Sequence, residues 1–147
     1  MSGVWRALRT IDDPEYPGVS IVDLGLVADV RVDGRHVEVD LVPTYSGCPA
    51  LTMIAADVRE AIGALERVDD VEVRFVAEPA WTPERIAPAA RAAIASSFGV
   101  AVAAPGHPAT CPRCGADELV EQSAFGPVRC RSIHRCRSCG ELVEAVR

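Results

Sequence analysis

Between residues 26 and 75 the apolar positions switch from a two-residue period to a helical one and back. Leu26 to Val32 and His36 to Val42 are predicted strands, the second alternating as Val37-Glu38-Val39-Asp40-Leu41. Asp33-Gly34 between them is a hairpin-turn dipeptide. Leu51, Ile54, Ala55, Val58, Ala61, Ile62 and Leu65 then fall on one helical stripe, with Pro49 suited to the first turn. Val71-Glu72-Val73-Arg74-Phe75 returns to alternation as a third strand. Before this block, Val4 to Ile11 is spaced as a short amphipathic helix that stops ahead of Asp12-Asp13-Pro14, and a loop follows through Gly18. After it, Trp81-Thr82-Pro83 interrupts the chain, and Pro88 to Ala95 is a further helix with Gly99 as its stop.

These elements predict an α+β fold, a small mixed sheet of about three strands with helices packed on one face. The expected organisation is a main domain over residues 1–99, a linker over 100–110 rich in small residues and proline, and a β module over 111–147. In that module Glu118 to Ser123 and Glu141 to Val146 are strand-like.

Composition narrows the class. The 147 residues are 49% hydrophobic, with no apolar run long enough for a membrane span and no signal-peptide core near Met1. The expectation is a cytoplasmic protein whose thiols stay reduced, which favours metal binding over disulfides. Residues 1–108 carry 9 Arg against 16 acidic residues, whereas residues 109–147 carry 6 Arg against 5. The acidic body argues against nucleic acid as a partner, since phosphate binding needs a basic surface.

The cysteines are used in two ways. Five of six lie in the last 37 residues, including Cys111-Pro-Arg-Cys114 and Cys136-Arg-Ser-Cys139, separated by 21 residues. Each two-residue gap lets a tight turn offer two sulfurs to one ion, so the pair has the spacing of a tetrahedral thiolate site. Such a closed site is structural, and zinc would supply folding free energy that so short a tail lacks. Iron in a rubredoxin-like arrangement uses similar knuckles. Cys130 is a fifth sulfur, either an additional ligand or a buried thiol, and His134 is a ligand or a polar surface residue.

Cys48 stands apart in Thr44-Tyr45-Ser46-Gly47-Cys48-Pro49, at the predicted start of the best helix. Unpaired N–H groups and the helix dipole favour a thiolate there, and Gly47 permits close approach of backbone or ligand; a neutral buried thiol is the other reading. Asp23, inside Ile21 to Val27, needs hydrogen-bond partners and serves either as a backbone cap or as a ligand or base. Glu15, with Asp13, flanks a proline turn and is otherwise a solvated loop residue.

Asp13-Pro-Glu-Tyr-Pro17, Ile21 to Val27, Thr44 to Pro49 and Glu78-Pro-Ala-Trp-Thr-Pro83 resemble the signature segments of cytosolic iron–sulfur assembly factors. With Phe125-Gly126, Cys130 and Arg135-Cys136 in the tail, the chain resembles the family of D subunits of the bacterial phenylacetyl-CoA epoxidase system. The resemblance implies a non-catalytic maturation factor for that monooxygenase, whose partners are its di-iron oxygenase component and its reductase with flavin and a two-iron cluster. It implies Cys48 as reactive thiol and transient iron–sulfur ligand, with Asp23 and Glu15 shaping its pocket. It implies Cys111, Cys114, Cys136 and Cys139 as metal ligands with Cys130 nearby, and a ribbon that docks the client or stabilises a homo-oligomer. The competing readings are a thiol-dependent redox or transfer enzyme using Cys48, and a zinc-ribbon interaction module.

Overall fold

The computed structural model describes residues 1–147, which divide into two compact units, Met1–Trp81 and Thr82–Arg147. In the first unit, α1 (Ser2–Leu8) leads into a two-stranded ribbon of β1 (Asp12–Asp13) and β2 (Tyr16–Ser20). That ribbon occupies the stretch expected as a loop. It has no apolar alternation to announce it. Side chains hold it instead, with Asp12 accepting from the Gly18 N–H and Asp13 from the Glu15 N–H, each at 2.8 Å.

The main sheet has the order β3 (Val27–Asp33), β4 (His36–Leu41), β5 (Asp70–Phe75). β3 and β4 form the expected hairpin, with Gly34 at φ 58°, a value that the absent side chain makes inexpensive. β4 and β5 run parallel, so α2 (Ala50–Gly63) crosses between them. α2 packs against β5, and α1 packs against α2. Val37, Val39 and Leu41 from β4 meet the helical stripe Ile54, Ala55, Val58 and Ile62 in the core, all at most 4% exposed. The alternate residues of the sheet face the other way and are charged. Among them Asp40 is buried between Arg31 and Arg74, which hold its carboxyl below the usual carboxylate range.

The second unit begins with a 3-10 turn (Pro83–Arg85) and α3 (Pro88–Phe98), ended by Gly99 in the left-handed conformation. Its sheet has the order β6 (Val100–Ala101), β9 (Leu142–Val146), β8 (Arg131–Cys136), β7 (Leu119–Ser123). β6 pairs in parallel with β9, so residues 100 and 101, expected to open a linker, are sheet residues, and α3 belongs with the ribbon rather than with the main sheet. β8 escapes prediction because Arg131-Ser-Ile-His-Arg-Cys136 has one aliphatic residue; its neighbours on both sides supply its hydrogen bonds.

Truncating Ile62, which is fully buried, is expected to cost about 3 kcal/mol in urea unfolding. Asp40→Asn is expected to cost about 1 kcal/mol at pH 7, since its arginine partners are partly solvated. Because the folded carboxyl ionises below its ordinary value, that difference should be complete above about pH 4 and close as the pH falls further. Unfolding curves at pH 7 and pH 3 check both.

Candidate functional site: a four-thiol centre and a separate cysteine

The two knuckles are built alike. In the first, Cys111 N–H bonds Ala116 C=O at 2.9 Å, and Gly115 N–H returns to Cys111 C=O at 2.8 Å. In the second, Cys136 N–H bonds Glu141 C=O and Gly140 N–H returns to Cys136 C=O, both at 2.9 Å. Gly115 and Gly140 take φ of 77° and 80°, so the working motif is C-x-x-C-G, with the glycine turning the chain back under its sulfurs. Reading the knuckles as C-x-x-C alone missed that role, although both glycines stand in the sequence.

One sulfur from each of Cys111, Cys114, Cys136 and Cys139 lies within 4.8 Å of the others. The Cys111–Cys139 and Cys114–Cys136 sulfurs are 3.8 and 3.6 Å apart. A tetrahedral ion with metal–sulfur bonds of about 2.3 Å needs sulfurs about 3.8 Å apart, so the donors fit a metal of the zinc or ferrous class. The thiols also act on one another. Backbone N–H groups of Cys139 and Ser138 bring the Cys136 thiol down to about 7. The Glu141 backbone alone would lower Cys139 as well, but burial and the neighbouring sulfurs push that thiol up to about 12. Four thiolates cannot gather here without a cation; a bound divalent ion supplies the compensating charge and leaves no open coordination position. Cys111 and Cys136 are fully buried beside Val143, with Ala116 and Leu119 packed against them, a core too small to organise this end of the unit alone.

Cys130 is not a fifth ligand. It precedes β8 while Cys136 ends it, and six residues of extended chain separate them by about 20 Å. Its carbonyl instead accepts from the Arg147 N–H at 3.0 Å. His134 is also outside the sulfur group; its Nε2 pairs with Ser132 Oγ at 2.8 Å, and its buried Nδ1 has no partner.

Cys48 is half-buried in the loop joining β4 to α2, at the C-terminal end of the parallel pair. Its N–H bonds Tyr45 C=O and its carbonyl accepts from Leu51 N–H, both at 3.2 Å, so the thiol sits on a turn that becomes the helix. The close approach permitted by Gly47 is taken by Tyr45, whose ring carbon would lie 2.8 Å from any Cβ there. A cavity of about 300 Å³ borders this loop, lined by Val42, Pro43, Tyr45, Val76, Ala80 and Trp81. Trp81 Nε1 bonds Leu24 C=O at 3.0 Å and Val42 N–H bonds Leu26 C=O at 2.8 Å, which draws the Ile21–Val27 turn to the same end of the sheet.

Asp23 closes that turn. One oxygen accepts from Ser20 Oγ at 2.9 Å and the other pairs with Arg9 at 3.1 Å. Glu15 is half-buried in the β1–β2 turn. Cys48, Asp23 and Glu15 do not form one group of close ligand atoms. The structure assembles another group, His36, Glu38 and Glu72, which sequence reasoning missed because the β4–β5 register creates it.

A mixed α+β unit presenting a cysteine at a strand–helix turn, followed by a four-thiol β ribbon, defines a class of metal-handling assembly proteins. The family described as iron-sulfur cluster assembly protein matches residues 2–75, and the PaaD zinc beta ribbon domain matches residues 96–147. The chain belongs to that iron-sulfur cluster assembly family and ends in the PaaD ribbon. It is 35% identical, over 94% of its length and 87% of the relative's, to an Escherichia coli (strain K12) protein provisionally named as the D subunit of 1,2-phenylacetyl-CoA epoxidase. It is 40% identical, over 62% of its length and 89% of the relative's, to the Fe-S protein maturation auxiliary factor YitW of Bacillus subtilis (strain 168). A crystal structure of a domain of unknown function, DUF59, from Bacillus anthracis superposes with a TM-score of 0.59 at 34% identity, covering 63% of this chain and 89% of that one. No helix is long and apolar enough to cross a membrane.

Cys136→Ser is expected to empty the four-thiol centre and unfold β7–β9 while α2 and its sheet persist. Metal analysis and amide-resolved NMR of the purified chain check this. Since the ligands must be deprotonated, metal should also leave as the pH falls, detectable with a chromogenic chelator.

Proposed function

We propose that the protein is a cytoplasmic, non-catalytic maturation factor that helps assemble an iron or iron–sulfur centre of a phenylacetyl-CoA epoxidase. The observation that carries this reading is a separate, half-buried Cys48 at the head of α2, in a chain alike over most of its length to the D subunit of such an epoxidase. Backbone N–H groups of a first helical turn have no helical acceptors and favour negative charge, so the position suits a thiolate that holds iron. One thiolate cannot complete an iron site. The remaining ligands come from the client or a second copy, and the cargo leaves by ligand exchange without net oxidation or reduction.

In this reading the tetrad of Cys111, Cys114, Cys136 and Cys139 holds structural zinc, and the ribbon docks the oxygenase or reductase component. Asp23 shapes the site by fixing the turn that Trp81 ties down, and Glu15 contributes from the β1–β2 turn when the client docks. Cys48→Ser in cells producing the epoxidase is expected to lower the client's iron content and activity severalfold, while the variant keeps its zinc. Iron measured separately on the oxygenase and reductase identifies the client. Normal iron and activity in both components would overturn the role of Cys48.

A further inference from the structure

The face of the main sheet turned away from α2 carries nine polar residues in register across three strands. Asp33, His36 and Asp70 form one row; Arg31, Glu38 and Glu72 the next; Asp29, Asp40 and Arg74 the third. The third row is neutralised at short range, with Arg31 on Asp40 at 2.8 Å and Arg74 on Asp40 at 3.0 Å. Toward the first row the arginine contacts lengthen and the carboxylates outnumber them. Glu38 and Glu72 stand directly opposite each other on adjacent strands, an arrangement of like charges that destabilises a sheet. Arg31 and Arg74 both bond Glu38 through Oε2, at 2.7 and 3.4 Å, which leaves Oε1 without an arginine, and Arg74 pairs with Glu72 only at 3.9 Å.

The other Glu38 oxygen, Oε1, turns toward His36 Nε2 at 3.6 Å. That is too long for a hydrogen bond. It is close to the roughly 3.4 Å edge between nitrogen and oxygen donors sharing one tetrahedral ion at about 2.1 Å from each. His36 Nδ1 meanwhile pairs with Asp70 Oδ2 at 2.7 Å, which fixes the ring and leaves Nε2 as the outward donor. A carboxylate behind a ligating imidazole is the usual support of a metal-bound histidine. One ligand atom from each of His36, Glu38 and Glu72 lies within 4.8 Å of the others.

We propose that His36, Glu38 and Glu72 form a second metal site, taking a divalent first-row cation through one nitrogen and carboxylate oxygens, with Asp70 as the positioning residue. Its nitrogen and oxygen donors differ from the sulfur tetrad and suit manganese, ferrous iron, cobalt or zinc. With side chains 36%, 27% and 47% exposed, the site keeps positions open to water and exchanges its ion with solvent. It depends on neither Cys48 nor the ribbon.

The test uses the full chain with its four-thiol centre filled by one equivalent of zinc, titrated with Mn²⁺ and followed by electron paramagnetic resonance. One saturable Mn²⁺ per chain is expected, with selective broadening of the His36 ring protons. His36→Gln and Glu72→Gln should each weaken binding about tenfold or more, and Asp70→Asn should weaken it by a comparable factor. Asp33→Asn removes a charge from the same face without removing a ligand and should leave affinity within about twofold. Unsaturable binding, or His36→Gln binding Mn²⁺ as tightly as the parent, would overturn the site in favour of diffuse attraction to an acidic face. Thermal unfolding of each variant confirms that these exposed substitutions leave the fold intact.

Discussion

Two parallel strands cannot be joined by a tight turn, and the first unit is organised by that constraint. Because β4 and β5 run the same way, the chain must travel the length of the sheet between them, and α2 makes that crossing. The crossing buries the helical stripe on the inner residues of β4. It also brings the segment after β4 and the segment after β5 to the same end of the sheet, where the ends of parallel strands leave a crevice. Tyr45, from the loop that carries Cys48, and Trp81 line one cavity there for that reason, although 36 positions separate them in the chain.

The same pairing creates the opposite face. Parallel register sets His36 against Asp70 and Glu38 against Glu72, while the β3 hairpin adds Arg31 and Asp29 from the other side. Inner positions are aliphatic and hold the unit together; outer positions are charged and carry partly uncompensated electrostatics. A sheet with helices packed on one face thus yields an apolar core and a charged opposite face from one alternating pattern.

The second unit meets a different constraint. Around the knuckles its core is little more than Cys111, Cys136 and Val143, so the burial that closes larger domains is absent. Two copies of the same C-x-x-C-G turn bring four sulfurs to one point, and the metal they fit would take the place of a hydrophobic interior. This explains how β8 forms from a polar sequence: the knuckle at its C-terminal end and a strand on each side hold it extended.

Much of this was legible in the residues. The stripe from Ile54 to Ile62, the alternation from Val37 to Leu41, Asp33-Gly34 and the two C-x-x-C pairs each encode a local rule, since hydrophobic period, turn conformation and ligand spacing act over a few residues. The sequence by itself therefore determined an α+β body, a four-sulfur tail and a cysteine at a helix start. Only the tertiary structure decided that Cys130 lies a strand's length from the tetrad, that Asp23 is engaged by Ser20 and Arg9, that Val100 and Ala101 join a sheet, and that His36 meets Glu72. Those outcomes depend on strand direction, register and chain reversal, which arise from contacts between distant segments.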